Sequence, residues 1–137
     1  DLATPKAVAR TPKLVWDWYA QRREAARGAQ PNPGHYALVE MEKRIPEFTL
    51  ITQNVDGLHH AAGSKNILEL HGNILNVRCS VCGTFADTWV NDHETVPRCK
   101  KCGGLLRPDV VWCEESLPRE QLDAAVHAAR TCQVFFS

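Results

Sequence analysis

Four of the six cysteines in this 137-residue chain stand in two C-x-x-C units, Cys79 with Cys82 and Cys99 with Cys102, with 16 residues between the units. Each unit closes a tight turn that aims two sulfurs at one point. Gly83, Gly103 and Gly104 follow the turns, where backbone freedom is needed. Four thiolates make a closed tetrahedral site with no open position for water, so the metal expected here is one structural Zn2+. Such a centre carries a formal charge of about −2, which Arg78, Arg98, Lys100 and Lys101 would partly offset. Two disulfides, buried free thiols or an iron–sulfur cluster are weaker readings of this spacing. His93 lies in the same stretch and reads as a solvated loop residue, because no cysteine ligand is missing. Cys113 and Cys132 stand outside the pairs in apolar surroundings and are expected to be small buried residues.

A second group of polar residues follows a short apolar run. Residues 48–52 (FTLIT) read as a buried strand. Gln53, Asn54, Asp56 and Gly57 come directly after it. A polar cluster at the C-terminal end of a buried strand is where open α/β sheets place ligands. His71 ends a second short strand, residues 66–70 (NILEL). Histidine suits proton transfer near neutral pH. Taken alone, Gln53, Asn54 and Asp56 read as turn residues and His71 as a hydrogen-bonded structural histidine.

The elements that must hold these groups follow from local signals. Thr4-Pro5 and Thr11-Pro12 are hydroxyl caps followed by proline in the first turn, so helices start at both. The second is expected over 12 to about 27, with Val15, Trp18, Tyr19 and Arg22 on one face. Asn32-Pro33 starts a third helix with Ala37, Leu38 and Met41 inward. A helical turn over 58–62 ends at Gly63. Residues 110–112 (VVW) read as a buried strand. Residues 117–130 read as an amphipathic helix with Leu122, Ala125, Val126 and Ala129 inward, and 134–137 (VFFS) as a buried strand.

The order predicts an α/β fold: part of a Rossmann-like parallel sheet with helices, interrupted by a small zinc-ribbon module. Residues 1–74 form the helical segment and first part of the Rossmann-like domain, 75–107 the zinc ribbon, and 108–137 the return to the sheet. Sixteen basic and sixteen acidic residues balance to zero, which argues against nucleic acid or an anionic membrane as the main partner. No stretch approaches about 18 uninterrupted apolar residues, so no membrane span is expected. Paired cysteines favour metal in a reducing, cytoplasmic compartment. Residue 1 is not Met and the final strand has nothing after it, so both ends are expected to be cut.

The segments TQNVDGLH (52–59), LELHG (68–72), the paired knuckles and LLRPDVVW (105–112), in that order, closely resemble the sirtuin family of NAD-dependent protein lysine deacylases. The resemblance implies removal of acyl groups from lysine with NAD consumed, giving nicotinamide and O-acyl-ADP-ribose. By that resemblance His71 is the base, Gln53 binds the ribose hydroxyls, Asn54 orders the ribose region, and Asp56 binds the nicotinamide carboxamide. The partners implied are acylated-lysine proteins or peptides, lying along Val111, Trp112 and Cys113. Tyr19 and Arg22 match the Tyr-x-x-Arg pair of the members that remove succinyl or malonyl groups, where it binds the distal carboxylate. His59 belongs to the family pattern and, with His60, reads as structural.

Two departures stand out. The family has Phe-Gly-Glu after VVW, and this chain has Cys113-Glu114-Glu115. That stretch pairs with the substrate backbone as an added strand, so peptide binding is the property it bears on. The family's Gly-rich phosphate loop and its Gly-Thr-Ser strand end fall outside the 137 residues, so weak NAD binding and slow turnover are expected of this chain alone. A non-catalytic zinc module, a degenerate sirtuin and a protein ADP-ribosyltransferase remain alternatives.

Overall fold

The computed structural model describes residues 2–87 and 94–137; His93 lies outside them. The chain opens with three helices, α1 (Pro5–Arg10), α2 (Pro12–Gly28) and α3 (Pro33–Arg44). Thr4 caps α1 by accepting the Ala7 N–H at 3.1 Å. Thr11 does not cap α2 with its side chain. Its hydroxyl donates to the Ala7 carbonyl at 3.1 Å instead, because the same residue must also close α1. Asn32 caps α3 by accepting from Gly34 and His35, and His35 Nδ1 accepts the Asn32 N–H in return.

α2 buries Val15, Trp16, Tyr19 and Arg23. Two members of the expected face differ: Trp16 is buried where Trp18 is half-buried, and Arg23 is buried where Arg22 is exposed. Arg23 is held in place because its Nε donates to the Ile74 carbonyl at 3.0 Å and its guanidinium lies 5.2 Å from the Trp16 ring centroid. Burial, with help from Arg27, lowers its pKa to about 10. On α3 the buried residue is Val39, while Ala37 is exposed and Leu38 and Met41 are half-buried. α3 rests its Val39 side on the following helix, so the inward face is rotated from the one expected.

β1 (Leu50–Thr52), α4 (Leu58–Ala62) and β2 (Ile67–Glu69) form a small parallel unit, with Leu50 opposite Ile67 and Thr52 opposite Glu69. Gly63 closes α4 at φ 109°. β3 (Gly72–Cys79) and β4 (Leu106–Val110) form a separate antiparallel pair, with a bulge between Asn73 and Val77. The strand expected at 110–112 is therefore shifted: β4 ends at Val110, and Trp112 is buried without belonging to a strand. The reason is register. β4 follows β3 back out of the cysteine module and leaves it where β3 begins at Gly72.

α2 packs across this hairpin. One core cluster joins Val15, Tyr19, Ile74, Val110 and Trp112; a second joins Trp16, Val77, Cys79 and Leu106. The last helix, α5 (Arg119–Thr131), buries only Ala125. Leu122, Val126 and Ala129 are exposed, as are Val134, Phe135 and Phe136, which form no strand. An apolar face or a strand needs a partner to bury against, and among the described residues β1 and β2 pair only with each other. No helix among them is long and apolar enough to cross a membrane.

Candidate active site and zinc centre

The cysteines meet as their spacing requires. Cys79 ends β3 and its N–H donates to the Thr84 carbonyl at 2.9 Å; Cys99 does the same to Gly104 at 2.8 Å. Gly83 and Gly103 donate back to Cys79 and Cys99 and take φ of 69° and 76°, so the two knuckles repeat one geometry. The four sulfurs lie within 4.8 Å of one another. Cys79 Sγ is 3.4 Å from Cys102 Sγ and Cys82 Sγ is 3.8 Å from Cys99 Sγ. A tetrahedral zinc with about 2.3 Å Zn–S bonds places its sulfurs about 3.8 Å apart, so the set fits one zinc ion. The amide groups of Val81 and Cys82 donate to the Cys79 sulfur and that of Lys101 to the Cys99 sulfur. Cys113 and Cys132 lie outside this cluster, and both are exposed. The expectation that they are buried fails because the loop after Trp112 and the end of α5 both face outward.

The polar loops come together through the backbone. Thr52 Oγ1 accepts the Asn54 N–H at 3.1 Å, and Asp56 Oδ1 accepts the Leu58 N–H at 3.0 Å, so the loop after β1 is shaped by its own side chains. Gly57 turns it into α4 at φ 74°. The parallel pairing of β1 and β2 puts this loop beside His71, with the Leu70 N–H donating to the Thr52 carbonyl at 3.0 Å. The Ile74 N–H donates to the Val55 carbonyl at 2.8 Å, and the Val111 N–H to the His71 carbonyl at 3.0 Å. Two backbone bonds thus join the segment on either side of His71 to Thr52 and Val55, and a third joins His71 to Val111. Gln53 and Asn54 are exposed, and Asp56, His71 and Val111 are half-buried.

Gly72 makes the last of these contacts possible. It sits at φ 77°, and a Cβ built on it would lie 2.1 Å from the Asp109 carbonyl oxygen. Only glycine lets β3 approach β4 this closely beside His71.

Tyr19 is buried in the first core cluster, its ring centroid 6.5 Å from that of Trp112. Burial raises its pKa, against the opposing effects of the Trp112 indole and the Arg107 and Arg22 charges. Arg22 lies on the surface with its guanidinium 4.4 Å from the Trp18 ring centroid. Tyr19 and Arg22 are neighbours on α2, but one faces the core and the other solvent.

Sequence reasoning missed two polar clusters. Asn73, buried, donates to Glu69 at 2.8 Å and accepts from the Leu75 N–H, and Glu69 also faces His60 at 3.4 Å. Arg107 and Glu115 form a two-pronged pair at 2.6 and 2.8 Å around Trp112. Opposite charges eight apart carry no local signal here, since Arg107 belongs to β4 and Glu115 to the turn beyond it, so no single regular element relates them. His35 and His59 also stack, with centroids 4.7 Å apart. Burial, then His35, lowers the pKa of His59.

This arrangement has close relatives. The Sir2 family matches the chain over residues 1–137. An NAD-dependent protein deacylase of Aquifex aeolicus is 54% identical over 136 residues, covering 98% of this chain and 57% of the relative. One of Thermus thermophilus is 51% identical, covering 93% of this chain and 52% of the relative. The crystal structure of a Sir2 homologue in complex with NAD aligns with TM-score 0.87 and 46% identity, over 93% of this chain and 50% of that one. A Sir2 structure bound to acetylated peptide aligns with TM-score 0.86 and 28% identity, over 95% of this chain and 56% of that one. The chain belongs to the Sir2 family, the sirtuins. It spans about half the length of the curated relatives it matches.

Proposed function

We propose that this chain forms the part of an NAD-dependent protein lysine deacylase that holds the nicotinamide ribose, the general base and the acylated lysine. The observation that carries this reading is the backbone junction of the 53–57 loop, His71 and Val111. That backbone proximity supports a role for the loop's polar side chains, the imidazole and the Val111 segment in one site. NAD, when bound, supplies a ribose carbon that loses nicotinamide and accepts the acyl oxygen. The residues present suit that ligand. Exposed Gln53 and Asn54 carry amides that donate and accept, and Asp56, oriented by Leu58, is an acceptor for a carboxamide N–H. Half-buried His71 takes the proton from a ribose hydroxyl. The acylated lysine lies along Val111, Trp112 and Cys113.

The acyl preference proposed is acidic, succinyl or malonyl, with acetyl also accepted. Arg22 supports it: an accessible guanidinium with a fork of donors suits a distal carboxylate. Tyr19 would act from beneath, through its place against Trp112. Six free thiols, four of them aimed at one metal position, suit a reducing, cytoplasmic setting.

The test is release of nicotinamide from NAD in the presence of succinyl-lysine and acetyl-lysine peptides, with this chain and with a longer polypeptide carrying it. His71→Ala should lower the rate by about 10²–10⁴-fold with zinc content unchanged. A His71→Ala protein with full activity refutes the assigned base.

A further inference from the structure

We infer that Arg107 and Glu115 are positioning residues for the acyl-lysine peptide site, fixing the 110–115 stretch before substrate arrives. The inference rests on the deacylase reading above and names two residues that reading does not use.

Arg107 extends from β4 over the stretch that follows it. Its Nη1 and Nη2 donate to the two carboxylate oxygens of Glu115 at 2.6 and 2.8 Å, and Nη2 also donates to the Val110 carbonyl at 2.8 Å. Its guanidinium carbon lies over the Trp112 ring, 3.3 Å from the ring centroid. Glu115 returns the contact, since its Oε2 accepts the Trp112 N–H at 2.8 Å, and the Glu115 N–H donates to the Trp112 carbonyl at 3.0 Å. The residues on both sides of Val111 are therefore held by one ion pair, while Val111 itself donates to His71. Cys113 donates to the Ala3 carbonyl at 3.0 Å, so the far end is tied as well.

The pair is mostly shielded, with the Arg107 and Glu115 side chains 11% and 24% exposed. Planar two-pronged pairing of this kind fixes geometry more than a point charge would. Burial raises the Glu115 pKa, but the Arg107 bond and the Trp112 N–H outweigh it, so the carboxylate stays ionised. The same turn holds Glu114 at φ 73°, a region non-glycine residues avoid. A loop kept in that conformation is being constrained from elsewhere, and Glu115 is the constraint next to it.

The consequence is energetic. A peptide that adds as a strand must pair with an ordered edge. If the edge is ordered beforehand, binding does not bear that ordering cost. Trp112 is also the ring against which Tyr19 packs, so the clamp reaches the acyl pocket and the peptide edge together.

The experiment compares wild type, Glu115→Ala and Glu115→Gln in the full-length polypeptide carrying these residues. It measures calorimetric Kd for a succinyl-lysine peptide, KM for NAD, zinc content and hydrogen exchange of the Trp112 amide. Glu115→Ala should weaken peptide binding about tenfold and speed Trp112 exchange, with KM for NAD within about twofold and zinc retained. Glu115→Gln keeps an acceptor for the Trp112 N–H and should stay within about threefold of wild type. The inference is overturned if Glu115→Ala binds peptide as wild type does, if Trp112 exchange is unchanged, or if zinc and peptide binding are lost in parallel in both variants. A wild-type protein that binds no acylated peptide sinks the deacylase reading and this inference with it; a wild type that binds, with an equally competent Glu115→Ala, sinks this inference alone.

Discussion

Glu114 occupies a backbone conformation that suits glycine, and glycine is what the sirtuin pattern has at this position. The cost of a left-handed conformation for a residue with a Cβ is about 1 kcal/mol. Its ion pair with Lys6 at 3.4 Å is well exposed and offsets little of that. Glu114→Gly should therefore stabilise the chain by about 0.5–1 kcal/mol, seen as a higher urea midpoint at unchanged slope. A lower midpoint would mean that Glu114 makes a contact worth more than the strain. The acyl clamp is tested on the same scale. Tyr19→Phe with Arg22→Met should lower desuccinylation about 10²-fold and deacetylation only a few-fold, because a carboxylate loses its charged donors while an acetyl group had none to lose. Equal losses for the two substrates would mean that Tyr19 acts only as core packing.

The β3–β4 hairpin does two jobs at its two ends. At the far end it carries Cys79; at the near end Gly72 presses against Asp109 and brings His71 beside Val111. Gly72→Ala must both strain the backbone and push the strands apart, at a cost of about 2–4 kcal/mol. Gly28, at the end of α2, meets nothing within 4 Å and has no such requirement. Gly28→Ala should be neutral or slightly stabilising by about 0.5 kcal/mol. Thermal unfolding of the two variants side by side checks both statements. Comparable effects would remove the argument that close approach at Gly72 sets the site.

For the whole molecule, the zinc centre and the candidate active site are opposite ends of one packed unit. Cys79 belongs to the core cluster of Trp16, Val77 and Leu106, which adjoins the cluster holding Tyr19, Ile74 and Trp112 through α2. Stripping the metal should release the knuckles, expose Cys79 and loosen the hairpin that carries His71. The expected result is a thermal midpoint lower by about 10 °C or more and faster amide exchange through β3 and β4, reversed by added Zn2+. If a chelator removes zinc and the hairpin keeps its protection, the metal is not what holds it.

Much of this was written in local sequence. The knuckles, the caps at Thr4 and Asn32, the α4 turn closed by Gly63, and the loop after β1 each depend on residues within a few positions of one another. The long motifs around Gln53, His71 and Val111 also marked the family. What the sequence did not reveal depends on chain partners far away in number. Arg23 rather than Arg22 is buried because Ile74, 51 residues on, offers it a carbonyl. Val39 faces inward because of where α4 lies. Cys113, Cys132 and residues 134–136 are exposed because apolar character alone does not bury a segment without a surface to meet it. The zinc ligands were thus legible from spacing, since a metal fixes its donors by local geometry. Their link to His71 came only with the register of β3 on β4, and the Arg107–Glu115 clamp only with the turn that folds Glu115 back across Trp112, where no periodicity relates the two residues.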